Sequence, residues 1–162
     1  MQALSFINSA IFIAFAVALV GAAITDLKHR KISNNLSLTI VGLYGIFAVS
    51  QLLAGADWKI IAAWPLASAA FVFLLGAALF AANLMGGGDV KLLAAITLFA
   101  GPTLGISFIL YVTIAGGLVA LATLLHARIK SLNTAEAKVP YGVAISLGGL
   151  WVCYQRFSTL SA

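Results

Sequence analysis

The chain has 162 residues, of which 63% are hydrophobic and 8% charged, with a net charge of +5. Soluble domains are roughly half apolar and a quarter charged, so this composition excludes one. Its continuous apolar runs favour membrane helices over a barrel, whose strands would alternate. The first run, residues 3–25, has no Lys or Arg ahead of it and is too long for a secretory signal, so it reads as a retained first span. A polar stretch, 26–35, leads to a second span at 36–54. A turn at 55–59, with Trp58 suited to the interface, precedes a third span at 60–82. A glycine-rich loop, 83–89, follows.

The apolar stretch at 90–125 is too long for one helix and barely long enough for two, and Gly101-Pro102 interrupts it. Span 4 is then 90–100, whose 11 residues reach roughly 16 Å. That is about half the ~30 Å hydrocarbon core. Either span 4 continues past Pro102 as a kinked helix, or its Asp89 end is recessed beside a water-filled notch. Span 5 is 103–125, a polar basic loop covers 126–138, and span 6 is 139–154, with Pro140 tolerated in its first turn. The expected architecture is an all-α, polytopic helix bundle of about six spans, in one domain over 1–162.

Placing the loops after spans 1, 3 and 5 on one side gathers Lys28, Arg30, Lys31, Lys91, Arg128, Lys130 and Lys138, seven of the nine basic residues. Lys59 and Arg156 lie opposite. The positive-inside rule makes the crowded side cytoplasmic and both termini extracytoplasmic. Basic residues so placed set orientation rather than bind nucleic acid. Cys153 has no partner in the chain, which excludes an internal disulfide and a cysteine-based zinc site. His29 and His126 lack metal-ligand spacing, so neither a metal nor a cofactor is expected.

Four acidic residues remain. Asp57 belongs to the extracytoplasmic turn, and Glu136 to a basic loop where it is solvated. Asp26 and Asp89, 63 positions apart, end span 1 and open span 4 on the same surface. Asp89 could simply cap its helix, with Gly86, Gly87 and Gly88 as a turn. Two carboxylates in one partly dry site, however, cannot both ionise easily, so one keeps a proton. One then activates water as a base while the other donates to a carbonyl. The helix ends favour Asp89 as the base and Asp26 as the proton holder. On the same physics the pair could relay protons in a small proton- or cation-coupled transporter.

The motifs discriminate between these readings. Gly86-Gly87-Gly88-Asp89 resembles the GxGD motif of intramembrane aspartic proteases. Asp26 followed by Ile32-Ser33-Asn34 resembles the first-aspartate motif of type 4 prepilin peptidases, and so do the run from Asp89 to Ala95 and Val139-Pro140-Tyr141-Gly142. Presenilin-type relatives carry Tyr-Asp and Pro-Ala-Leu motifs, whereas Thr25 precedes Asp26 here and Tyr141-Gly142 follows Pro140. The resemblance implies removal of the leader from prepilins or pseudopilins at the cytoplasmic face of the bacterial inner membrane, with Asp26 and Asp89 as the catalytic pair. Bifunctional members carry an N-terminal extension with paired cysteines that serves methylation. This chain starts at span 1 without them, so it resembles the short, peptidase-only form of tight-adherence (Flp) pilus systems.

Supporting roles stay open between two readings each. Lys91 either acts on the carboxylates or a substrate carbonyl, or snorkels as an anchor. Asn34 either holds the loop beside Asp26 or caps span 2. Gly86, Gly87 and Gly88 either admit an extended substrate backbone or form a turn. Lys28, Arg30 and Lys31 set topology and touch lipid phosphate.

Overall fold

The computed structural model describes residues 2–129 and 139–161. Its helices are α1 (Gln2–His29), α2 (Asn34–Leu53), a π-helical segment (Lys59–Ala63) running into α3 (Trp64–Ala81), α4 (Gly87–Ile129) and α5 (Tyr141–Ser161). Four stretches among the described residues are long and apolar enough to cross a membrane: Leu4–His29, Asn34–Leu53, Lys59–Ala81 and Gly87–Leu125. The protein is a multi-pass, all-α membrane bundle. Lys130, Glu136 and Lys138, assigned above to a basic loop, lie outside the described residues.

The helix ends differ from the hydropathy boundaries because polar residues take part in closing them. α1 continues through Asp26 to His29, and Arg30 ends it at φ 49° by donating its backbone N–H to the Asp26 carbonyl at 2.8 Å. This left-handed closure is usually made by glycine. With arginine it holds strain on the order of 1 kcal/mol beside Asp26. The connection to α2 is therefore only residues 30–33. Ser33, not Asn34, caps α2, its hydroxyl accepting the Asn35 N–H at 3.2 Å. α3 ends with Asn83 at φ 60°, as the Leu84 N–H reaches the Leu79 carbonyl and the Asn83 N–H that of Phe80, both at 2.9 Å.

Gly87, Gly88 and Asp89 form the first turn of α4 rather than a loop. Further along, Gly101 has φ 57° and ψ −169°, a conformation essentially restricted to glycine, and Pro102 follows it. Carbonyls at such a break lose their helical partners, which is costly where water is absent. The Arg156 side chain, half-buried on α5, supplies donors: Nε to the Phe99 carbonyl and Nη2 to the Ala100 carbonyl, both at 2.9 Å, with Nη2 also 3.2 Å from Thr103 Oγ1. Arg156 is thus an interhelical clasp, not merely an orienting charge near the chain end. Tyr44 plays a similar part on α2. Its hydroxyl donates to the Ile61 carbonyl at 2.6 Å, the group that Pro65, lacking an N–H, cannot serve.

α4 is the hub, packing on α2, α3 and α5, while α1 packs on α2 and α5. Its first half supplies the buried Leu92, Ile96, Phe99 and Ala100. Phe99 stacks on Phe15 at 4.2 Å between ring centres and meets Tyr44 edge-on at 5.1 Å. Asn8 and Gln51 join α1 to α2 through an amide hydrogen bond of 3.2 Å.

Replacing Arg156 with alanine orphans the carbonyls at the break and is expected to cost about 2 kcal/mol. Arg156→Lys should recover only part of it, because an ammonium cannot bridge both carbonyls as a planar fork does. Unfolding in mixed detergent micelles, followed by tryptophan fluorescence, measures both.

Candidate active site

Asp26 and Asp89 line a single cavity of about 610 Å³. Neither carboxylate could reach the other by local sequence, so the packing of α1, α4 and α5 brings them to it. Asp26 is only 5% exposed, and its Oδ2 accepts the Val143 N–H at 3.3 Å. Val143 lies in the first turn of α5, where unpaired backbone N–H groups favour an anion. Asp26 therefore ends α1 and also faces the N-terminus of α5. Asp89 sits in the first turn of α4, half-buried, with the Gly86 N–H turned back toward its carboxylate. Both carboxylates thus face helix N-termini, and helix dipoles do not separate them into base and proton holder as their positions in sequence suggested.

The glycines act through close approach rather than unusual torsions. A Cβ on Gly88 would lie 3.1 Å from the Ile32 carbonyl oxygen, and one on Gly142 would lie 2.7 Å from Ile32 Cδ1 and 2.8 Å from the Asp26 carboxylate. Ile32 is wedged between the two helix starts. Gly87 and Gly88 are helical, so they do not form an extended edge for substrate. Irregular backbone on the cavity comes from residues 82–86, of which Asn83, Leu84, Met85 and Gly86 are lining residues, and from Arg30, Lys31, Ile32 and Val139.

The remaining expected residues separate. Lys91 donates to Asn34 Oδ1 at 2.9 Å, and this pair lines a second groove, between α2, α3 and α4. Arg30 and Lys31, read from sequence as topology signals, line the carboxylate cavity together with Phe80 and Tyr141. The role of Gly142 and Val143 in holding Asp26 was not read from sequence. The signal available was Pro140 with a glycine two residues on at a helix start, where close approach and free N–H groups coincide. Among the described residues no group of three or more His, Cys, Asp or Glu side chains is placed to hold a metal.

The model of the Type IV leader peptidase family matches residues 13–121, about two thirds of the chain, including both aspartates and the glycine run. The chain belongs to the type IV leader peptidase family. Membership classes it as a peptidase, hence a hydrolase, and removes the transporter reading. No curated protein and no solved structure matches the chain. The Val139 to Gly142 motif and α5 lie beyond the segment that the family model matches. α5 meets the matched segment at Asp26, and again where Arg156 bonds to the Phe99 and Ala100 carbonyls.

Gly142→Ala should push α5 away from Asp26 and lower peptidase activity on the order of 10²-fold, the effect of a misplacement of about 1 Å. Gly45→Ala, where a Cβ meets nothing within 4 Å, is the matched control and should leave activity unchanged. Initial cleavage rates of the two purified variants check this.

Proposed function

We propose that this protein is a membrane-embedded aspartic endopeptidase that removes the leader peptide from prepilins or pseudopilins. The observation that carries the reading is the shared cavity of Asp26 and Asp89 in a chain of leader peptidase sequence. One carboxylate, ionised, takes a proton from a water between them, and the hydroxide attacks the scissile carbonyl carbon. The other, protonated, donates to the carbonyl oxygen. Collapse of the tetrahedral intermediate breaks the C–N bond, and the leaving amine takes up a proton. The pair titrates as a unit, so neither aspartate has a fixed role.

A helical peptide shields its carbonyls, so the leader must be extended where it is cut. Residues 82–86 offer irregular backbone for strand-like pairing with it. Arg30 and Lys31 at the rim face the leader side of the substrate. The apolar helix that follows the cut stays in the bilayer. The topology that fits this chemistry has six spans, with α4 counted as two at Gly101 and α5 as the last. The cavity then faces the cytoplasm, and both termini lie outside the bacterial inner membrane. Lys28, Arg30, Lys31 and Lys91, all near the cavity end, agree with that orientation.

Asp26→Asn and Asp89→Asn should each lower cleavage of a co-expressed prepilin by about 10³-fold or more, with both variants still folded. Cleavage that survives either change refutes the pair. In the unaltered enzyme the pH profile of kcat/KM should be bell-shaped, one limb for each carboxyl. A photocrosslinker at Leu84, 72% exposed beside the cavity, should capture the leader. A cysteine at Leu53 should react with an impermeant maleimide in intact cells, and one at Leu84 should not. The reverse pattern would invert the topology.

A further inference from the structure

The groove that holds Lys91 and Asn34 is a separate feature from the carboxylate cavity. Its volume is about 540 Å³, within the ordinary range for a ligand site. Each of α2, α3 and α4 contributes one stripe at helical spacing, beginning at Asn34, Leu66 and Lys91 respectively. Each stripe covers two turns, or about 10 Å. Ala69 and Ala95, both buried, form the floor, and their small side chains leave the space open. The rim is apolar, with Leu38 66% and Phe73 43% exposed.

One end of this apolar groove is polar. Lys91 extends there, and its ammonium meets an amide oxygen rather than a carboxylate. Because Asn34 accepts through Oδ1, its amide N–H groups remain as donors. Ser37 is one turn along α2 from Asn34. Ser37 lines the same groove and is 5% exposed, and its hydroxyl, fully buried behind the groove wall, has no hydrogen-bond partner. A buried unpartnered hydroxyl is unfavourable. An ammonium and an amide at one mouth of an apolar trough form a donor pair for an oxyanion attached to a hydrocarbon chain. A helix about 10 Å across would fill roughly 800 Å³ over two turns, more than the groove holds, so a flexible chain fits better than a second helix.

We propose that this groove is a binding site for an anionic phospholipid, with one acyl chain along α2, α3 and α4 and its phosphate held by Lys91 and Asn34. Basic positions between membrane helices at one leaflet are suited to such headgroups. The site lies on the other face of α4 from Asp89, so it is independent of the proposed proteolytic chemistry.

The test is lipid retention by the full-length protein. The protein is reconstituted in nanodiscs of equal parts phosphatidylglycerol and phosphatidylethanolamine, then transferred to mild detergent for native mass spectrometry. The expected result is one retained lipid per chain, with phosphatidylglycerol favoured about fivefold, the contribution of a single basic residue near a lipid phosphate. Lys91→Gln should return the ratio to that of the bulk lipid, and Ala95→Leu should remove the bound lipid altogether. Lys91 is exposed, so its variant keeps the test decisive if the Ala95 variant does not fold. Equal retention of the two lipids, a preference unchanged in Lys91→Gln, or displacement of the lipid by a synthetic pilin-like apolar helix would each overturn the proposal.

Discussion

Two helix N-termini close on one four-residue connection, and the carboxylate cavity exists because of where they meet. α4 presses on the Ile32 backbone through Gly88, and α5 presses on the Ile32 side chain and on Asp26 through Gly142. The connection between α1 and α2 cannot retreat. Arg30 binds back to the Asp26 carbonyl at one end, and Ser33 caps α2 at the other. The starts of α4 and α5 therefore close on Ile32 with no side chain of their own at the point of contact. An anionic group at such a point is favoured by two sets of unpaired backbone N–H groups, which otherwise would need water or ligand.

The far end of the bundle fixes the same pair of helices again. Arg156 on α5 supplies the carbonyls freed at the Gly101 break in α4, so α4 and α5 are joined by hydrogen bonds there and by close packing at Ile32. Carbonyls left unpaired at a break inside a membrane protein are unfavourable, so a broken helix needs a donor from a neighbour. The break and the clasp form one unit. Tyr44, which serves the Ile61 carbonyl ahead of Pro65, repeats the arrangement between α2 and the π-helical entry to α3.

Helical geometry also separates the two polar features of α4. Asp89 and Lys91 are two residues apart, about 200° around the axis. They cannot face one cavity, and α4 itself becomes the wall between a polar cavity that holds the aspartates and an apolar groove that ends in Lys91. This is why a lysine adjacent in sequence to the candidate site bonds to Asn34 instead.

The chain's own chemistry established the membrane, the helices and the two aspartates worth watching. Apolar length and scarce charge are local properties, and so are the GxGD run and the residues from Asp26 to Asn34. The glycine-proline interruption was also visible, since its torsional demand belongs to two residues. Other features required the tertiary structure: that α1 carries Asp26 inside its last turns, that α5 lends its first N–H groups to that carboxylate, and that Arg156 turns inward to the break. Each depends on which helix lies beside which, and no local pattern records it. A glycine shows that close approach is permitted, and only packing shows what approaches.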